Sequence, residues 1–407
     1  MTSTTTMGAV VVLTLALMVI TEVTGVQIYE QQQREEVVDL QRQHHQQDDN
    51  RDERRLFNSS GFCNTKNYTN MPEKGVCLSY FSCLAKGGVR KGSCWLGFGT
   101  CCVFERTCGQ CSNATVTYFT DRHPYSTMLD SCGITIHKAY NVCQLRLDMI
   151  KLDLSEPNVE GVCVDQYLQV TGADTQIFTI CGSNSGQHLI VPARTSFRPI
   201  TISIINNNDA TVNANSRWNI KVEQLSCNSS DLAPMGCDQY YLEPVGSVKS
   251  FNYATNPSSA IYNTTYPPTR LGTRGTRHLQ ARYSICVKPW SHCGLSWTPS
   301  IDQPSFTITD IYDSSFPLPG FQYDSLCATN YNNTFTDYLM IPGGSIFTPS
   351  STTGIPASIF CGLKFPPEVR ASGYQVIFIT NDQEAVDNDA DNRGFHLIYQ
   401  EQTNCEC

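Results

Sequence analysis

The sequence is poor in charged residues. Only 16% of its 407 residues are Asp, Glu, Lys or Arg, and the net charge is −9. An acidic balance repels phosphate backbones, and no basic cluster is interleaved with aromatic residues, so nucleic acid is not expected as a partner. No helix-period segment of useful length stands out either, whereas Tyr, Phe, Thr, Ser and Asn are plentiful and suit pleated, half-buried surfaces. The composition therefore predicts an all-β protein.

Long apolar runs are absent after residue 25, which predicts no membrane span in the mature chain. The apolar stretch Ala9–Ile20 is short for a bilayer span and is followed by the small-residue ending Val23-Thr24-Gly25. Basic residues are missing before the stretch, but the pattern still predicts a signal peptide at 1–25 and a secreted, extracellular protein. A retained membrane anchor is the alternative interpretation.

All twenty cysteines follow the predicted signal peptide, and an even number in an oxidising compartment is expected to pair. Six glycosylation sequons agree with the secretory route. They lie at Asn58, Asn67, Asn113, Asn228, Asn263 and Asn332. A chain this rich in Ser, Thr and Asn would hold several sequons by chance, so they support the prediction of secretion without establishing it.

Residues 26–55 are rich in Gln and charge and contain almost no aromatic residues. Such a segment cannot bury enough apolar surface to become ordered, so it is predicted to be disordered. It ends in the cluster Arg51-Asp52-Glu53-Arg54-Arg55, which is typical of processing sites. Two interpretations stand, a removable propeptide with a mature start near Leu56 or a solvated linker.

Residues 56–107 form a small cysteine-rich module, too short to be stabilised by core burial alone. Its six cysteines are Cys63, Cys77, Cys83, Cys94, Cys101 and Cys102. Spacing alone selects no connectivity among them. The order, with a terminal Cys-Cys pair, resembles the clip modules of arthropod extracellular proteins. That resemblance implies the pairs Cys63–Cys101, Cys77–Cys94 and Cys83–Cys102.

The remaining chain consists of short β-rich runs separated by Gly, Pro, Asn and Asp. Examples are Gln144–Leu147, Thr201–Ile205, Trp218–Val222 and Tyr374–Ile379. Alternation of apolar and polar residues is what a sandwich with one solvated face requires. The halves also resemble each other in the order of their motifs, with Cys181-Gly182 in the first and Cys361-Gly362 in the second, which indicates duplication.

Several motifs of the first half resemble a CUB domain: Cys108-Gly109, Cys132-Gly-Ile-Thr-Ile, Cys163-Val-Asp165 and Cys181-Gly182. The second half matches with Cys237, Cys286, Asp337-Tyr338-Leu339 and Cys361-Gly362. Over roughly 56–407, the chain is similar to CUB-containing secreted proteins of arthropods. The resemblance implies two jelly-roll β-sandwiches in tandem, at 108–227 and 237–407.

The CUB resemblance also implies a disulfide set: Cys108–Cys132, Cys163–Cys181, Cys237–Cys286 and Cys327–Cys361. Cys111 and Cys143 are then candidates for an extra bridge. That choice would leave Cys227, Cys293, Cys405 and Cys407 to pair among themselves.

Some CUB domains hold a calcium ion through three acidic residues. In the first half Asp153, Asp165 and Asp209 fall at the matching places. Converging carboxylates are the hard oxygen ligands that calcium needs, so the resemblance implies a calcium site there. The alternative is that these are three unrelated surface or turn aspartates.

No group that could carry catalysis is visible. Gly182-Ser183-Asn184-Ser185-Gly186 has Asn184 where a nucleophile elbow needs serine, and no His-Glu-x-x-His spacing occurs. Cys108 and Cys111 have dithiol spacing but lack the helical context of a redox motif. A non-enzymatic protein that binds an extracellular protein or glycan is therefore the first hypothesis. The alternatives are a structural matrix or cuticle component, or a non-catalytic regulator of an extracellular protease cascade.

Overall fold

The computed structural model describes residues 61–65, 73–121, 130–158, 160–195, 198–207, 216–253, 278–291, 293–302, 305–308, 322–324, 327, 337–348, 351–362, 364–381 and 392–402. The chain divides into two compact units, Met1–Cys63 and Asn64–Cys407. Of the first unit only residues 61–63 are described. The predicted signal peptide at 1–25 and the segment at 26–55 lie outside the described residues.

β-Strands dominate the described residues, which confirms the predicted all-β class. The strands are β1 Phe62–Asn64, β2 Lys74–Leu78, β3 Val89–Cys94, β4 Gly99–Arg106, β5 Cys111–Ser112, β6 Val116–Thr120, β7 Ser131–Ile136, β8 Val142–Asp153, β9 Gln166–Thr171, β10 His188–Pro192, β11 Ile200–Asn206, β12 Arg217–Ser226, β13 Gln239–Tyr241, β14 Val245–Lys249, β15 Arg282–Val287, β16 Leu295–Pro299, β17 Phe306–Thr307, β18 Gln322–Tyr323, β19 Tyr338–Met340, β20 Gly344–Thr348, β21 Ser351–Pro356, β22 Ile359–Cys361, β23 Glu368–Ala371, β24 Gln375–Ile379 and β25 Gly394–Glu401. A short helix, α1 Tyr80–Ala85, and a 3₁₀ turn at Trp95–Gly97 accompany them.

The first sandwich packs the strands β6-β12-β8-β10 against β5-β7-β11-β9. Its longest strands, β8 and β12, pair antiparallel, with Leu147 opposite Val222. From Cys143 to Met149, every second residue of β8 is buried, including Leu145 and Leu147. This period-2 burial places one apolar face of each sheet in a shared core, as the alternation in the sequence predicts.

The small cysteine-rich module continues the first sandwich sheet. Its strand β4 pairs antiparallel with β2 and β3, and parallel with β6, where Phe104 lies opposite Thr117. Val103 on β4 packs with Val116 and Tyr118 of β6. The module is therefore joined to the first sandwich by backbone hydrogen bonds and a shared apolar cluster.

The second sandwich is built from the sheets β13-β15-β24-β19-β22-β18 and β14-β25-β16-β23-β20-β21, and β17 also pairs with β25. Large aromatic side chains fill its core. Trp297, Phe378 and Phe395 are fully buried, and Trp297 packs against Tyr399 with ring centroids 5.8 Å apart. Aromatic burial on this scale is a main source of stability for a sandwich core.

Seven disulfide pairs of the structure can be named, and six of them agree with a resemblance stated above. Four of them are the pairs that the CUB resemblance implies: Cys108–Cys132, Cys163–Cys181, Cys237–Cys286 and Cys327–Cys361. Two are pairs that the clip resemblance implies: Cys77–Cys94 and Cys83–Cys102. Cys63, Cys101 and Cys293 are also disulfide-bonded.

The expected bridge between Cys111 and Cys143 is wrong. Cys143 pairs with Cys227, at a Cα–Cα distance of 4.8 Å, because the antiparallel pairing of β8 with β12 brings them side by side. Cys111 begins β5 in the opposite sheet of the sandwich. Within the part of the chain that the structure describes, Cys111 is a free, exposed thiol.

Candidate functional site

Buried hydrogen bonds join the two sandwiches. Gly182 adopts φ +73°, and a Cβ there would lie 2.0 Å from Oδ1 of Asn252, so this close approach requires glycine. The turn presents the N–H of Ser183, which donates to Asn252 Oδ1 at 2.8 Å. The side-chain oxygen of Asn184 in turn accepts the Asn252 N–H at 2.7 Å. Each sandwich therefore supplies the hydrogen-bond partners of the other at this point.

A second set of contacts joins β10 of the first sandwich to β13 of the second. His188 Nε2 accepts the N–H of Tyr240 at 2.7 Å, and Gln239 donates to Gln187 at 3.0 Å. Burial, reinforced by the positive charge of Arg146, lowers the pKa of His188 to about 3. His188 is therefore neutral at pH 7, as its acceptor role at Nε2 requires.

Aromatic rings continue the core across the same junction. Phe178 of the first sandwich stacks on Tyr283 of the second with ring centroids 5.5 Å apart, and it meets Phe251 edge-on at 5.4 Å. The hydroxyl of Tyr283 accepts the N–H of Phe251 at 3.1 Å. Residues of both sandwiches consequently belong to one apolar cluster.

A partly buried polar cluster in the second sandwich centres on Asp302. Its carboxylate accepts hydrogen bonds from Tyr253 Oη at 2.8 Å and from Ser300 Oγ, and it lies 2.7 Å from His396 Nδ1. Burial alone would raise the pKa of Asp302, but these hydrogen bonds and the charge of His396 hold it below its usual value. Arg393 lies 4.1 Å from the Tyr253 ring centroid, which adds a cation-π contact.

This cluster lacks the geometry of a catalytic triad. A triad needs the serine hydroxyl to be hydrogen-bonded to the imidazole, with the carboxylate on the far side of the ring. Here Ser300 donates directly to Asp302. Burial lowers the pKa of His396 despite the opposing effect of Asp302. These hydrogen bonds connect Ser300 and Asp302 to His396 on β25, so the cluster has a structural role.

The residues predicted for calcium are described only in part. The carboxylate of Asp153 forms an ion pair with Lys151 and accepts a hydrogen bond from Ser183 Oγ at 2.8 Å. Asp165 lies beside Asn207, whose backbone N–H donates to its carbonyl at 2.8 Å, and Asp209 lies outside the described residues. No group of three or more His, Cys, Asp or Glu among the described residues is placed to hold a metal. The described residues thus do not form the three-carboxylate set, and calcium stays a prediction.

Two of the predicted glycosylation sequons can be placed. Asn113 and Asn228 are both exposed, Asn113 just after β5 and Asn228 just after β12. The sequons at Asn58, Asn67, Asn263 and Asn332 lie outside the described residues. Exposure of the asparagine is what a glycan attached at either position would need.

The two near matches to catalytic motifs have structural roles. Cys108 is bonded to Cys132 and not to Cys111, so the Cys-x-x-Cys spacing forms no dithiol pair. Asn184, at the position of a nucleophile serine, is fully buried, and its amide nitrogen donates to the Cys181 carbonyl at 2.8 Å. Neither position is available for catalysis.

Three large, exposed side chains lie in or next to the linker between the sandwiches, residues 227–237. They are Tyr140, 96% exposed, Met235, 98% exposed, and Trp290, 61% exposed. We call these three residues the linker surface. The Cys227 N–H donates to the Asn141 carbonyl, which brings the Tyr140 turn to the linker.

The second sandwich reaches the same linker through Lys288. Its ammonium group donates to the Ser230 carbonyl at 3.3 Å and lies 5.5 Å from the Trp290 ring centroid. This surface was not predicted from the sequence, although Trp290, in the short segment between Cys286 and Cys293, could have indicated an exposed binding residue. Exposed Trp and Tyr side chains are typical of binding surfaces.

The second sandwich can be assigned by comparison with known families. The family model of the animal CUB domain matches residues 234–402. The second sandwich is therefore similar to a CUB domain, and we refer to it below as the CUB domain. The first sandwich lies outside the matched residues. CUB domains and multiple disulfides are typical of extracellular proteins.

Solved structures with low similarity were also found. The CUB1-EGF-CUB2 region of rat MASP-1 is 12% identical, with a TM-score of 0.22, covering 71% of this chain and 99% of that chain. The same region of human MASP-1/3 is 14% identical, with a TM-score of 0.21, covering 71% and 100%. The extracellular region of zebrafish Gpr126/Adgrg6 is 10% identical, with a TM-score of 0.23, covering 74% and 39%. Comparison with curated protein sequences gave no significant match.

Among the described residues, no helix has both the length and the apolar character to cross a membrane.

Proposed function

We propose that this chain is a secreted, non-catalytic binding protein in which the CUB domain and the preceding sandwich act as one platform for an extracellular protein or glycan. The observation that carries this proposal is the buried junction, in which Asn184 and His188 of the first sandwich bond to Asn252 and Tyr240 of the CUB domain. A junction of this kind holds exposed groups of both sandwiches in a constant arrangement, which lowers the entropy cost of binding.

The linker surface is the proposed contact region. Tyr140 comes from the first sandwich and Trp290 from the CUB domain, so a partner bound there would touch both. Aromatic residues and Met are enriched in the buried centres of protein interfaces. Lys288 beside Trp290 supplies a cation at the edge of the surface.

The proposal is tested with purified, secreted full-length chain. The chain is presented to arrays of extracellular protein domains and of glycans, and each hit is titrated by biolayer interferometry. The expected result is saturable binding that weakens at least about tenfold in Tyr140→Ala and Trp290→Ala. The matched control, Leu96→Ser/Phe98→Ser, changes two side chains that are as exposed but lie on the small module.

Two results would overturn the proposal. One is partner binding that is unaffected by both linker-surface variants. The other is robust hydrolysis of peptide or ester substrates that a single substitution abolishes, since that would establish a catalytic function.

The small module supports a second candidate, regulation of an extracellular protease cascade. Its disulfides Cys77–Cys94 and Cys83–Cys102 are two of the three that the clip resemblance implies. On this hypothesis the chain is cleaved after Arg55 during an immune challenge. Mass spectrometry of the chain before and after challenge tests it, because a mature N-terminus at Leu56 appears only if cleavage occurs.

A further inference from the structure

The small module exposes large apolar side chains that the proposed function does not use. Leu96 is 101% exposed, Phe98 92% and Phe81 80%. We call the set of six such residues at one end of the module the apolar tip; it consists of Tyr80, Phe81, Leu84, Trp95, Leu96 and Phe98. Side chains of this size are rarely left so exposed in a group unless the surface has a partner.

The strand register brings the two halves of the apolar tip together. Leu78, just before the helix that carries Phe81, lies opposite Thr100 on β4. Cys94, just before the turn that carries Leu96, lies opposite Gly99 on the same strand. The helix and the turn therefore start at the same end of the small sheet.

Backbone conformation and two disulfides constrain the segments that carry the apolar tip. Trp95 and Leu96 have φ values of +48° and +57°, a conformation that L residues rarely adopt, and both side chains are exposed. The disulfide Cys77–Cys94 holds the start of this turn, and Cys83–Cys102 holds the helix. Strand β4 is in turn hydrogen-bonded to β6, so the module that carries the tip is attached to the first sandwich.

The small module that carries the apolar tip has a net charge of opposite sign to that of the whole chain. Residues 73–106 contain five Lys or Arg and two Glu, a net +3, whereas the whole chain carries −9. Both Glu are neighbours of Lys91, which forms ion pairs with Glu73 and Glu105. Lys86 and Arg90 have no acidic partner among the described residues. Arg90 lies 5.7 Å from the Tyr80 ring centroid, at the edge of the tip.

We infer that the apolar tip inserts into the surface of a bilayer containing anionic phospholipids. Trp95 and Tyr80 suit the headgroup region, Leu96, Phe98 and Phe81 suit the acyl chains below it, and Arg90 beside Tyr80 meets anionic headgroups. Protruding side chains favour a deformable lipid surface, because a protein partner would need a separate pocket for each of them. The acidic remainder of the chain is repelled by the same surface, which orients the tip toward it.

The first test is flotation of the full-length chain with phosphatidylcholine vesicles, with and without phosphatidylserine. The chain is expected to float with the anionic vesicles and to stay behind with pure phosphatidylcholine. Leu96→Ser/Phe98→Ser should lower the bound fraction at least about tenfold, as should the charge reversal Arg90→Glu. The control Val245→Ser/Ile301→Ser removes two exposed apolar side chains that lie outside both the tip and the linker surface, 56% and 94% exposed, and should float like the parent.

Tryptophan fluorescence gives an independent readout of the tip. The chain has four Trp residues, of which Trp218 and Trp297 are buried and Trp95 and Trp290 are exposed. In a Trp290→Phe background the response to vesicles reports on Trp95. A blue shift on adding anionic vesicles is expected, together with its loss in Leu96→Ser/Phe98→Ser.

Three outcomes would overturn the inference: no flotation of the parent chain, equal loss in the tip and control variants, or self-association through the tip with no vesicle binding, as seen by light scattering. Near-ultraviolet circular dichroism establishes that each variant is folded. This contact goes beyond the proposed function and can fail separately, since partner binding at the linker surface should persist in the tip variant.

Discussion

The backbone N–H of Asn252 donates a 2.7 Å hydrogen bond to the side-chain oxygen of Asn184, and both residues are fully buried. Asn184 belongs to the first sandwich and Asn252 to the CUB domain. A buried polar pair of this kind stabilises the junction only while both partners are present, because an unsatisfied group retains its full desolvation cost. The pair therefore couples the stability of the two sandwiches.

Asn184→Ala is expected to lower the free energy of unfolding by about 1 to 3 kcal/mol. The substitution leaves the Asn252 N–H and the Cys181 carbonyl without their side-chain partner. Urea denaturation measures the change. Asn207→Ala is the control, since its exposed amide makes one hydrogen bond, to the Val164 carbonyl, and should cost far less. Equal losses in the two variants would contradict the role assigned to Asn184.

Acid should destabilise the junction through His188. Its pKa is about 3 in the folded chain against 6.5 for the unperturbed side chain, so the unfolded chain takes up a proton first as pH falls. The contribution to stability is complete above pH 6.5 and decreases toward pH 3, by up to about 1.4 kcal/mol per pH unit. Protonation would also remove the acceptor for the Tyr240 N–H.

The test compares urea denaturation of the parent and of His188→Gln across this pH window. Glutamine keeps an acceptor for the Tyr240 N–H but does not titrate. The free energy of unfolding should therefore change less steeply with pH. His137→Gln removes an exposed histidine and should leave the slope as it is in the parent. An unchanged slope in His188→Gln would rule out this role for His188.

Phe178→Ala is expected to weaken the coupling between the sandwiches. The variant loses the stacked contact with Tyr283 and the edge contact with Phe251, at an expected cost of about 2 to 4 kcal/mol. Differential scanning calorimetry should show a lower transition temperature. The transition should also broaden or split, because the sandwiches then unfold separately. Phe98→Ala, at a site 92% exposed, should leave the transition within about 0.5 kcal/mol of the parent. A single unshifted transition in Phe178→Ala would count against the shared core.

The disulfide pairing predicts which cysteine is reactive. Iodoacetamide added to the folded, unreduced chain should label Cys111, which is exposed and free within the described part of the chain. Proteolysis without reductant should then yield a crosslinked peptide pair containing Cys143 and Cys227. Recovery of a Cys111–Cys143 crosslink would show that this part of the pairing is wrong.

Strands and several disulfides could be anticipated from the sequence because the signals are local or follow the CUB resemblance. The alternation in Gln144–Leu147 and Thr201–Ile205 falls within β8 and β11. Side chains on a strand point alternately to opposite faces, so such a pattern can satisfy a half-buried strand whatever lies elsewhere in the chain. The disulfide partner of Cys143 could not be predicted from a local pattern, because it depends on which strand lies beside β8.

The sequence by itself determined the all-β class, the alternating faces of the strands and the absence of recognisable catalytic motifs, because each of these depends on residues close together along the chain. Only the tertiary structure decided the partner of Cys143, the junction role of Asn184 and the grouping of the apolar tip. Asn184 and Asn252 are 68 residues apart, and they meet because the turn before β10 packs against the turn after β14 and their polar groups are buried together. Contacts of that kind arise from the packing of whole sandwiches, which no local pattern records.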